Sequence, residues 1–208
     1  MSVRDRHQSM WEQIPEGHEP PDFPRRRAFL LAHVEVGQRV LDLGCGEGHF
    51  AQALDAAGAV VTAADVAPEP LRRAQRRVPG LDVRLLPGEP PWPLPDAAYD
   101  AVWAGEVIEH VGDTAAWLSE VRRILRSGGR LLISTPDHGP LRTMAMALRP
   151  VVFDRHFDPR SDHLRFYTRR TLRALLHDFA FEDVGISAVG GMPGTRRTLL
   201  ASARRMRF

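Results

Sequence analysis

The chain has 208 residues, 43% hydrophobic and 26% charged, with a formal net charge of +2. That suits one globular domain and excludes a disordered chain. Its one cysteine, Cys45, excludes an intrachain disulfide and a zinc site of several thiolates, and its all-arginine basic set excludes lysine Schiff-base chemistry.

Residues 1–23 read as an N-terminal cap segment, rich in proline and charge, with an aromatic patch at Met10 and Trp11. Pro15, Pro20, Pro21 and Pro24 argue against a long helix there. The domain proper is expected over residues 24–208, opening with a helix near Pro24 that carries Phe29, Leu30, Leu31 and Val34. Strands are then predicted at 39–43, 60–64, 83–86, 99–104, 130–134, 184–189 and 198–203. Helices are predicted at 48–57, 68–77, 114–126 and 168–179. The 114–126 helix puts Trp117, Leu118, Val121, Ile124 and Leu125 on one stripe and stops at Gly128-Gly129. Residues 136–167 read as a lid insertion. This alternation predicts an α/β, Rossmann-like, mostly parallel sheet with helices on both faces. Such sheets bind ligands at the carboxyl ends of their strands.

After the first strand comes Asp42-Leu43-Gly44-Cys45-Gly46-Glu47-Gly48. Its glycines permit a tight turn and close approach of a ligand to backbone. The spacing is G-x-G-x-G, unlike the G-x-G-x-x-G of dinucleotide sites. Asp42 places a carboxylate there, which suits an ammonium group and repels a phosphate. Asp65, ending the second strand, can accept hydrogen bonds from a ribose diol; it can equally cap the helix near Pro68.

Residues 40–48 resemble the first motif of class I S-adenosylmethionine (SAM)-dependent methyltransferases, and Val61-Thr62-Ala63-Ala64-Asp65 resembles the second. Residues 99–111 and 121–134 resemble segments of the small-molecule branch that includes the quinone-biosynthesis and natural-product methyltransferases. The resemblance spans roughly residues 25–186. It implies a seven-stranded sheet with an antiparallel last strand, and SAM as cofactor. It implies that Gly44, Cys45 and Gly46 back the methionine part while Asp42 reaches its ammonium. Asp65 would hold the ribose, Val66 would pack on adenine, and Glu106 and Val107 would close the floor near the methionyl end. The family's acid after strand three is displaced here to Gly88-Glu89, followed by Pro90-Pro91. Glu89 takes that role one position late, or is a solvated loop residue; Trp92 or Leu94 is then expected to cover the adenine face.

The implied function is methyl transfer to a small-molecule acceptor, with a hydroxyl oxygen preferred. His110, His138 and His163 are the candidate general bases, beside Glu109, Asp137 and His156. Each has a bland alternative: His110 as a loop buttress, the 136–167 methionines as core, and the stretch before Thr168 as scaffold with Thr168 an N-cap. No metal site is predicted. His156 and His163 lie among Asp154, Asp158 and Asp162, but their spacing matches no ligand pattern, and Asp-rich loops usually make turns.

The competing readings are an RNA or protein methyltransferase, a NAD-dependent oxidoreductase and a non-catalytic SAM-binding protein. The arginine clusters at 25–27, 169–170, 196–197 and 204–207 are scattered, which argues against a nucleic-acid partner. No apolar run reaches the roughly 18–20 residues of a membrane span, and residues 1–21 hold no apolar secretory segment. A cytoplasmic location without a membrane partner is the expectation.

Overall fold

A computed structural model describes residues 3–192 and 195–207. The outermost ends of the expected cap segment and domain therefore lie outside the described residues. Seven strands form one sheet: β1 (Arg39–Leu43), β2 (Val60–Asp65), β3 (Asp82–Leu85), β4 (Tyr99–Gly105), β5 (Leu125–Pro136), β6 (Phe181–Val189) and β7 (Thr198–Arg205). Their order is β3-β2-β1-β4-β5-β7-β6. β7 runs antiparallel to both β5 and β6, and the remaining pairings are parallel.

Period-2 alternation along the central strands feeds two separate cores. Leu41, Val102, Ala104, Leu131 and Ile133 face one layer, completed by Trp117, Leu118, Val121, Leu172 and Leu176. Val40, Ala101, Trp103 and Leu132 face the other, completed by Leu30, Phe50, Leu54, Leu71 and Ala74. These partners come from α2 (Phe23–Leu31), α3 (His49–Ala56) and α4 (Pro68–Arg77) on one face, and from α5 (Thr114–Ile124) and α8 (Arg169–Asp178) on the other. No helix among the described residues is long and apolar enough to cross a membrane.

Three expectations need correction. An 11-residue helix, α1 (Val3–Gln13), forms in the N-terminal segment. The prolines start at Pro15, so they end this helix and do not prevent it. Second, α5 stops at Ile124 and β5 starts at Leu125, because Leu125 pairs with Tyr99 across a register shift before Arg130 pairs with Ala101. Third, the insertion folds as α6 (Pro140–Ala147) and α7 (Pro150–His156), with Met144 57% exposed; only Met146 of the two methionines is buried. Thr168 does cap α8: its hydroxyl accepts from the Thr171 amide at 3.2 Å in a reciprocal capping box.

Candidate functional site

The strand order reverses between β1 and β4, and the site lies at their carboxyl ends, as this topology dictates. The loop after β1 turns through Gly44, Gly46 and Gly48, all with positive φ. Gly44 is indispensable to the packing: a Cβ there would lie 2.4 Å from Val107 Cγ2. Val107 and Glu106, which leaves β4 at φ 58°, are thereby brought onto the loop that carries Asp42.

Asp42 is 1% exposed, and its Oδ2 has no hydrogen-bond partner. Burial pushes its pKa up to about 7, with the nearby Asp65 charge adding to the shift. Asp65 is better satisfied: Oδ2 accepts from the Gly46 amide at 3.2 Å and Oδ1 from the Ala67 amide at 3.0 Å. The carboxylate thus ties the glycine loop to the residue before α4, but it does not cap that helix, whose N-cap is Ala67 without a side-chain bond. Cys45 is buried and its thiol pKa is pushed up by burial, which makes it an inert wall.

The adenine side differs from expectation. Gly88 and Glu89 are exposed. Trp92 is not at a cofactor face; it packs edge-on to Trp117, ring centroids 6.4 Å apart, within the core. Its amide donates to Glu120 Oε1 at 2.6 Å and its carbonyl accepts from Arg123 Nη2 at 3.1 Å. Leu94 is buried in the same core. The loop is fastened to α5, and its apolar side chains follow. Val66 is half-buried, and α1 lies beside it: Arg4 donates to the Val66 and Leu86 carbonyls, each at 3.2 Å. Trp11 rests over Gly46, where a Cβ would be 3.0 Å from the indole. Arg73 holds that part of α1 through the Trp11 carbonyl at 2.8 Å and the Ile14 carbonyl at 2.9 Å. Arg4 and Trp11 were not singled out from sequence; the aromatic patch at Met10–Trp11 was the only signal.

Beyond the ends of β4 and β5, histidines gather from distant stretches. His110 ends a 3-10 turn, Ile108–His110. Its Nδ1 lies 3.0 Å from the Asp162 carbonyl, and burial lowers its pKa. The His163 ring sits 4.8 Å from the His110 ring, and the His7 ring of α1 sits 6.2 Å from it. His138 lies beyond: its Nε2 is 2.9 Å from His156 Nε2, and its buried Nδ1 has no partner. Burial and the nearby His156 drive the His138 pKa down to about 4. The structure therefore brings His110 and His163 together and pairs His138 with His156. His7 was missed by sequence reasoning, and nothing local signals it.

Beneath lie Glu106 and Glu109. Each has a buried Oε1 without a partner. Glu109 is fully buried; its Oε2 accepts from the Thr135 hydroxyl at 2.9 Å. Burial and the Glu106 charge raise the Glu109 pKa well above the carboxylate range. Arg26, 2% exposed, lies over the Phe50 ring at 4.8 Å and feels Glu106, Glu109 and Asp42. Desolvation lowers the Arg26 pKa against those charges. The strand ends thus gather four acids, Asp42, Asp65, Glu106 and Glu109, with Arg26 and Arg142 among them, and the ionised acids suit a cationic ligand.

The family model described as a methyltransferase domain matches residues 10–185. A ubiquinone biosynthesis O-methyltransferase of Xanthomonas oryzae is 30% identical, over 89% of this chain and 80% of that protein. An S-adenosylmethionine-dependent methyltransferase of Mesorhizobium loti superposes with a TM-score of 0.70 at 24% identity, covering 88% of this chain and 97% of the other. A Burkholderia thailandensis 1,6-didemethyltoxoflavin-N1-methyltransferase, solved with its substrate and S-adenosylhomocysteine, superposes with a TM-score of 0.68 at 22% identity, covering 98% and 84%. At these identities the two structures speak for the fold.

Proposed function

The chain belongs to the class I SAM-dependent methyltransferases, and from that premise we propose that it transfers the methyl group of SAM to a hydroxyl oxygen of a small molecule. The observation that supports the site assignment is the convergence of Asp42, Asp65, Glu106 and Glu109 at the carboxyl ends of β1, β2 and β4, where Asp42 feels Asp65 and Glu109 feels Glu106. A sulfonium with an ammonium complements that field, whereas the pyrophosphate of a dinucleotide opposes it.

In this reading Asp42 Oδ2 meets the methionyl ammonium, and Gly44, Cys45 and Gly46 back the methionyl chain. Asp65 turns toward the ribose while keeping its backbone donors. Val66 lines the adenine side, with Gly88 and Glu89 at its exposed rim. Glu106 and Val107 close the floor. SAM would supply a methyl carbon activated by its sulfonium, with S-adenosylhomocysteine as the leaving product. An imidazole at the acceptor end would take the proton of the hydroxyl that receives the methyl group. SAM arrives activated, so positioning carries most of the rate, roughly 7–11 kcal/mol of barrier. The Xanthomonas oryzae relative is itself an O-methyltransferase, which supports oxygen as the methylated atom.

The test uses SAM labelled on its methyl group against matched phenols, quinols and amines, with an RNA pool as a further arm. Label on hydroxyl compounds with stoichiometric S-adenosylhomocysteine is expected. Label confined to amines or to RNA overturns the acceptor assignment.

A further inference from the structure

Three side chains at the acceptor end form a donor set with no role in cofactor binding. A Glu109 carboxylate oxygen and one nitrogen each of His110 and His163 all lie within 4.8 Å of one another. Each of the first two is held by a second contact that leaves one donor atom over. Thr135 binds Glu109 Oε2 at 2.9 Å, and Oε1 stays buried without a partner. The Asp162 carbonyl lies 3.0 Å from His110 Nδ1, leaving Nε2 to a ligand. Metal-bound histidines characteristically donate their second N–H to a carbonyl or carboxylate in this way. The backbone holds the third donor in place: the Glu109 carbonyl accepts from the Leu164 amide at 2.8 Å and the Arg165 amide at 3.0 Å, which fastens the His163 loop to the 3-10 turn.

A fully buried carboxylate oxygen without a partner is costly unless something binds it. Arg26 feels Glu109 but also Glu106 and Asp42, and Arg142 feels Glu106, yet neither guanidinium hydrogen-bonds to Glu109 Oε1. Glu106 adds a second unpartnered Oε1 beside the set. We propose that Glu109, His110 and His163 bind a divalent first-row transition cation of the Mn, Fe, Co or Zn class, which holds and acidifies the acceptor hydroxyl. Two imidazoles and a carboxylate are the donors such cations take, and three protein ligands leave positions open for an acceptor. At bonding distances of about 2.0–2.2 Å the ligand atoms stand at most about 4.4 Å apart, so small side-chain adjustments draw these donors in. A cation there would do for the hydroxyl what bound metals do for water, which is to lower its pKa; the proton released passes to an imidazole outside the set, His138, which lies near His163. The cation's role in transfer rests on the methyltransferase reading, whereas its binding does not.

The experiment is a titration of the chelator-treated full-length protein with Co2+, followed by visible absorption, with Mn2+ followed by electron paramagnetic resonance. One ion per chain is expected. His163→Ala and Glu109→Gln should each weaken binding by more than the roughly 10–100-fold expected when an outer partner such as Thr135 is lost in Thr135→Val. His163 sits in a half-buried loop, so its alanine variant stays informative even where Glu109→Gln fails to fold. No stoichiometric ion, or binding unchanged in His163→Ala, overturns the site. Transfer at full rate in the presence of chelator overturns the cation's role on the acceptor. SAM-induced thermal stabilisation is measured in the same chelator. Its persistence keeps the family reading whatever the metal result, and its loss strikes that reading instead.

Discussion

At the cofactor end, residues 40–48 carry Asp42 and three positive-φ glycines to the tip of β1 in one uninterrupted run. At the acceptor end, Glu109 and His110 come from the turn after β4, His138 from the end of β5, His156 from α7, His163 from the loop before α8 and His7 from α1. The first region is backbone geometry, where positive-φ glycines leave room for Val107, Trp11 and Ala74 to close on the loop. The second is a set of side chains that meet because the fold folds back on itself. In the proposed reading one end would fix a cofactor that many acceptors share, while the other would change acceptor by altering single side chains on loops.

If that division is right, substitutions at the two ends separate binding from turnover. The largest effect is expected from His110→Ala, which should lower kcat by roughly 10²–10⁴-fold with the SAM dissociation constant near that of the parent. A loss of SAM affinity of the same size, measured by calorimetry, would merge the two regions. Asp65→Ala should weaken SAM binding by roughly 10–100-fold, the scale of losing buried, charge-assisted hydrogen bonds. Unchanged affinity would remove Asp65 from the cofactor site.

The third test exploits pH. Asp42 keeps its proton up to about pH 7 in the folded chain, against an ordinary value of 3.8. Between about pH 4 and 7 the folded state thus holds more protons than the unfolded one, and this contribution to stability is lost as pH rises through 7. An ammonium prefers the ionised carboxylate, so SAM should bind more tightly as pH rises toward 7, by up to about tenfold per pH unit. Asp42→Asn should be flat over that range in the same titration; a parent-like slope would locate the titrating group elsewhere. The smallest effect is structural: Thr168→Ala removes a capping box on the acceptor side and should cost about 1 kcal/mol in chemical denaturation, with SAM affinity unchanged.

The legibility of the two ends follows the same physics. Asp42, Gly44, Gly46 and Asp65 are readable because strand tips and the turns that follow them are adjacent in sequence; alternation gives a mostly parallel sheet, and the antiparallel last strand comes only with the family resemblance. Trp92 was misplaced because its loop is captured by Glu120 and Arg123 of α5, a contact that no local pattern encodes. Helix α1 is hard to read because four prolines dominate residues 15–24, whereas the helix lies wholly before them. The juxtaposition of Glu109, His110 and His163 was invisible for another reason. Ligand-spacing rules work within one turn or hairpin, whereas this set closes only when Leu164 and Arg165 hydrogen-bond to the Glu109 carbonyl. That is why the sequence pointed to no metal while the geometry points to one.

The most direct measurement for the whole account is a thermal-shift titration of the full chain with SAM, S-adenosylhomocysteine and NAD. The cluster of acids at the strand ends predicts a rise with both sulfur ligands, worth roughly 2.7 kcal/mol at a hundredfold excess over the dissociation constant, and none with NAD. Stabilisation by NAD, or none by SAM, would contradict the assignment of that cluster to the SAM site.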